Sequence, residues 1–71
     1  MKTTYFQRML AELMTENKIS QQDLAEAIGV RQSQISNYLS GKCLPSYYQI
    51  QALSNFFNVS ADQIVDTKFD D

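Results

Sequence analysis

Residues 20–42 read SQQDLAEAIGVRQSQISNYLSGK, and the spacing of apolar residues in this stretch decides the fold. Leu24, Ala25 and Ile28 recur at helical intervals and stop at Gly29; Ile35, Tyr38 and Leu39 then restart the same period. The pattern predicts two short amphipathic helices joined by a tight turn. Glycine suits the turn because the residue after a helix often adopts the left-handed conformation, which costs glycine no Cβ clash. Val30 supplies an apolar plug, and Ala25 is small where the second helix must cross closely. Helices this short do not persist alone in water, so the flanking chain must complete their core.

Four segments outside or at the edge of this stretch carry one signal, a Ser or Thr followed three residues later by Gln or Asp. They are Thr4 to Gln7, Ser20 to Asp23, Ser46 to Gln49 and Ser60 to Gln63. Each can cap a helix amino terminus reciprocally, with Asp the weaker partner. The resulting expectation is five helices: Thr4 to Glu16, Ser20 to Ile28, Arg31 or Gln32 to Ser40, Ser46 to Phe57, and Ser60 to Val65. The first sets Phe6, Leu10 and Leu13 on one face with Met9 and Met14 beside them; the fourth aligns Ile50, Leu53 and Phe57, with Tyr47 and Ser54 nearby. Tyr47 and Tyr48 are expected in the core and rim of that helix. The predicted fold is all-α, a compact five-helix bundle spanning residues 1–66, with an acidic tail at 67–71.

Composition narrows the function. Seventy-one residues make one domain near the lower limit for a self-sufficient core. One cysteine, Cys43, excludes an internal disulfide, and without histidine no zinc site is expected. No apolar run approaches the roughly 20 residues of a membrane span, and no signal-peptide core follows Met1. A cytoplasmic protein with no cofactor, no membrane partner and no small-molecule ligand is expected. Lack of histidine, of a glycine-rich phosphate loop and of a carboxylate pair in an apolar setting argues against an enzyme.

A net charge of −2 at first argues against a nucleic-acid partner, but the charge is unevenly spread. Residues 18–42 carry +1, residues 43–71 carry −3, and no acidic residue lies between Ala27 and Ala61. A polyanion can approach that span without meeting a carboxylate.

With these features in place, the chain resembles the phage Cro and repressor family of helix-turn-helix DNA-binding proteins. The resemblance rests on Ser20-Gln21-Gln22-Asp23-Leu24-Ala25, Ile28-Gly29-Val30, Ile35-Ser36, Gly41-Lys42 followed by Pro45, and the ending Asn58 to Ile64. It covers about Phe6 to Val65 and implies a lambda-repressor-like bundle that binds operator DNA, usually as a dimer. Two positions depart from the pattern. Where many relatives pair an arginine with a glutamate, this chain has Met14 and Leu39. Replacing both charges together avoids stranding one, a loss of about 3 to 5 kcal/mol, so Met14 and Leu39 are expected to touch. Arg31 stands where relatives often place a Ser or Thr cap.

The third helix offers Gln32, Ser33, Ser36 and Asn37 on its outward face, with Gln34 at the margin. A major groove about 12 Å wide admits one helix, and amide side chains can pair bidentately with adenine. These four are the expected base contacts. Phosphate contacts are expected from Gln21, at a helix amino terminus, and from Arg31, Lys42 and Lys18, with Asn17 and Ser40 as lesser candidates. The expected partner is a double-stranded DNA operator bound by a homodimer, with Phe56, Asn58, Ala61 and Gln63 as candidate interface residues. The resulting expectation is a transcriptional regulator acting as a repressor. The alternative is a protein-binding module, anti-repressor or antitoxin-like, on the same scaffold.

Overall fold

The computed structural model describes residues 4–65. The described residues form five helices and no strand: α1 (Tyr5–Asn17), α2 (Gln21–Ile28), α3 (Gln32–Ser40), α4 (Tyr47–Phe57) and α5 (Ala61–Ile64). The boundaries lie within a residue or two of the expectation, because the Ser and Thr signals mark the caps rather than the first helical residues.

At α1, the Thr4 hydroxyl accepts the Gln7 N–H at 3.1 Å, and Gln7 Oε1 accepts the Thr4 N–H at 2.8 Å. Ser46 and Gln49 form the same reciprocal pair before α4. Before α5, the Ser60 N–H donates to Gln63 Oε1 at 3.0 Å. Ser20 accepts the Asp23 N–H at 3.1 Å, whereas Asp23, one methylene shorter than Glu, does not return the contact. Left-handed residues close four helices: Lys18, Gly29, Gly41 and Asn58. Two of these are not glycine, which is why sequence marked only the ends at Gly29 and Gly41.

One core joins all five elements. Phe6, Leu10, Leu13 and Met14 of α1 meet Leu24 and Ala25 of α2, Ile35 and Tyr38 of α3, Leu53 and Phe57 of α4, and Ile64 of α5. α2 and α3 pack on each other; α1 rests on α3 and α5, while α4 rests on α2 and α5. Tyr38 is the largest side chain wholly removed from solvent, and the Phe6 ring meets it edge-on at 5.5 Å. Among the described residues no helix is long and apolar enough to cross a membrane.

The expectation fails at the start of α4. Tyr47 and Tyr48 are 70% and 82% exposed, so neither belongs to the core. Their rings lean edge-on against each other at 6.3 Å. The first turn of α4 overhangs the body, which the helix enters only near the half-buried Ile50. Helical period gives the face a residue shares, but not where a neighbouring helix ends. The acidic tail assigned to residues 67–71 lies outside the described residues.

Candidate nucleic-acid interface

α3 is held by one face and offers the other. Ile35 and Tyr38 are buried and Leu39 is half-buried, while Gln32, Ser33 and Ser36 are exposed and Asn37 is half-buried at the border. Gln34 is committed within the helix, its Nε2 donating to the Tyr38 hydroxyl at 3.1 Å, so the buried phenol has a partner. The free polar surface of α3 therefore consists of Gln32, Ser33 and Ser36, with Asn37 beside them.

Cations bracket this surface. Arg31 occupies the N-cap position in extended backbone but makes no side-chain cap hydrogen bond, leaving its exposed guanidinium uncommitted to the helix start. At the far end, Gly41 adopts φ +84°. The Lys42 N–H then turns back to the Asn37 carbonyl at 2.9 Å, and the Lys42 side chain is exposed.

The amino end of α2 lies beside the carboxyl end of α1. Lys18 sits in the left-handed conformation with φ 53°, its N–H returned to the Met14 and Thr15 carbonyls. Ile19, Ser20 and Gln21 follow. Together with Ala11, Met14, Thr15 and Leu39, these four residues wall a surface groove of about 440 Å³. The groove places an exposed ammonium, a half-buried amide and the free N–H groups of a helix start along one edge, a combination that favours an anion. Met14 is buried and Leu39 half-buried, and both line this groove, where apolar walls replace the charge pair of many relatives.

Two lesser candidates are already occupied. Asn17 Nδ2 donates to the Leu13 carbonyl at 2.8 Å, and the Ser40 hydroxyl donates to the Asn37 carbonyl at 3.2 Å. Away from this face, Phe56 is 42% exposed and stacks edge-on against the buried Phe57 at 5.0 Å. Asn58 is exposed, Ala61 half-buried, and Gln63 exposed with its side chain engaged by the Ser60 N–H. The hydroxyl of Tyr5 donates to the Gln63 carbonyl at 2.8 Å, tying α1 to α5.

One residue at this site escaped the sequence. Gln7 was marked only as a cap partner, yet its Nε2 donates to the Leu39 carbonyl at 3.1 Å, across 32 positions of chain. No periodicity or motif in the sequence signals a contact of that kind.

Comparison with known proteins agrees with this geometry. A family model described as helix-turn-helix matches residues 10–64. The transcriptional activator BcrR of Enterococcus faecalis is 33% identical over 60 residues, which is 84% of this chain and 29% of that protein. The chain thus spans under a third of the length of this curated relative. Three solved structures share the fold. A transcriptional regulator from Listeria innocua superposes with a TM-score of 0.83 at 24% identity, over 93% of this chain and 62% of that one. The SOS-response repressor LexA from Eubacterium rectale gives 0.82 at 21%, over 94% and 74%. The P22 c2 repressor, solved with a synthetic operator, gives 0.79 at 24%, over 94% of this chain and all of that one. With five helices in this order and a match running from Leu10 to Ile64, the chain belongs to the helix-turn-helix family.

Proposed function

We propose that the protein binds double-stranded DNA as a transcriptional regulator, inserting α3 into the major groove. The observation that carries this reading is the division of α3 into a buried apolar face and an exposed face of uncharged donors and acceptors, bracketed by Arg31 and Lys42. Gln32, Ser33, Ser36 and Asn37 read base edges, and Gln21, Lys18, Arg31 and Lys42 meet phosphates. The BcrR resemblance and the operator-bound P22 c2 repressor support the assignment.

A homodimer binds two half-sites about one helical turn apart, and repression follows from occupancy of the operator. Phe56, with Asn58, Ala61 and Gln63 around it, supplies the self-complementary surface. Regulation of this kind takes place in the cytoplasm. Net acidity favours the rival reading of a protein-binding module, and one experiment separates the two. Purified protein, with its oligomeric state measured, is titrated into duplex DNA from the region flanking its own coding sequence. Retardation at low salt that survives excess unrelated competitor DNA is expected; a dimer that retards no duplex at low salt would exclude DNA binding.

A further inference from the structure

The carboxyl end of a helix leaves carbonyls without partners, and α3 satisfies them unequally. The Asn37 carbonyl receives the Lys42 N–H and the Ser40 hydroxyl, and the Tyr38 carbonyl receives the Gly41 N–H at 3.3 Å. The Leu39 carbonyl takes its hydrogen bond from another element, through Gln7 Nε2 of α1. The same amide is anchored at its other end, because Gln7 Oε1 accepts the Thr4 N–H. Only one orientation of the amide serves both partners, since the oxygen cannot donate and the nitrogen cannot accept. Gln7 is half-buried and carries no freedom to turn.

Gly41 makes room for this contact. A Cβ built on Gly41 would stand 2.9 Å from Gln7 Nε2 and 3.0 Å from its Cδ and Oε1. By contrast, a Cβ on Gly29 would meet nothing within 4 Å. Glycine at position 41 therefore answers two demands, a left-handed φ and a close neighbour. The next residue is Lys42, whose backbone is fixed by the turn that Gly41 makes.

We infer that Gln7 is a positioning residue for DNA binding: it ties the end of α3 to the start of α1 and thereby fixes the turn that presents Lys42 to phosphate. This rests on the DNA-binding reading. Gln7 itself touches no nucleic acid. Its contribution reaches DNA through the Leu39 carbonyl, the Gly41 turn and the Lys42 ammonium. Thr4, which caps α1 but does not touch α3, provides the control, because Thr4→Ala removes cap strength and leaves the bond to Leu39.

The test compares wild type, Gln7→Met, Gln7→Glu, Thr4→Ala, Lys42→Ala and the Gln7→Met/Lys42→Ala double variant on one mixed-sequence duplex. Non-specific affinity reports phosphate contacts directly. Gln7→Met is expected to weaken binding roughly three- to tenfold and to lower the salt slope by about 0.9, the value for one phosphate contact. In the Lys42→Ala background, Gln7→Met should add almost nothing. Thr4→Ala should leave the salt slope unchanged. Equal losses from Gln7→Met with and without Lys42, or no loss at all, would overturn the inference. Hydrogen exchange at the Lys42 amide gives a readout independent of DNA. It should quicken in Gln7→Met and in Gln7→Glu, which keeps the acceptor for the Thr4 N–H but loses the donor to Leu39. Unchanged exchange in both would overturn the positioning role. Should wild type fail to bind any duplex, the DNA reading falls, while the exchange result still decides whether Gln7 fixes the turn.

Discussion

Tyr38 has no exposed surface, yet it carries a hydroxyl that must find a partner inside the fold. Gln34, one turn earlier, donates to it and is removed from the polar surface by doing so. Tyr38→Phe keeps the ring against Phe6 but leaves the Gln34 amide without its acceptor. A loss of about 1 kcal/mol is expected, measured by urea unfolding, with DNA affinity of the folded protein unchanged. Leu53→Ala, at a fully buried position in α4, is expected to cost more, about 2 to 5 kcal/mol, by the cavity it leaves. The core role of Tyr38 was legible from its helical spacing. The bond from Gln7 to the Leu39 carbonyl was not, because it joins a side chain to a backbone atom and depends on how two helices cross.

At the scale of elements, local signals located the helix starts well. Reciprocal Ser or Thr and Gln pairs are satisfied by atoms three residues apart, so sequence contains everything they need. Helix ends were less legible, since Lys18 and Asn58 adopt the left-handed turn without being glycine. The placement of Tyr47 was misjudged for a related reason: its period matches the core face of α4, but the first turn projects past its neighbours. The two glycines separate local from tertiary demand. Gly29→Ala is expected to cost about 1 to 2 kcal/mol, the price of a left-handed alanine. Gly41→Ala should cost more, because its Cβ must also displace Gln7 and break the bond to Leu39. Thermal unfolding of the two variants checks the order; equal losses would mean that Gln7 yields freely.

The whole molecule carries few cations for a DNA-binding protein, and the face assigned to DNA is mostly neutral. Lys18, Arg31 and Lys42 give three charged contacts per protomer, so log affinity of the dimer should fall with log salt at a slope no steeper than about six. Specific binding then depends on amide readout and on helix amino termini more than on bulk charge. Dimerisation is argued from the exposed Phe56, and Phe56→Ala is expected to raise the dimer dissociation constant by roughly fivefold or more in sedimentation equilibrium. The docking face was legible in outline, since Gln32, Ser33 and Ser36 emerge exposed as their spacing predicts. Its supports from α1 were not. The central claim is that α3 reads bases while its flanking cations hold phosphates, and it is tested most directly by measuring Gln32→Ala and Lys42→Ala against operator and unrelated duplexes side by side. Gln32→Ala should lose about 1 to 3 kcal/mol of discrimination with little change in salt slope, and Lys42→Ala should weaken both duplexes alike and lower the slope. Unaltered affinity for operator in both variants would contradict the account.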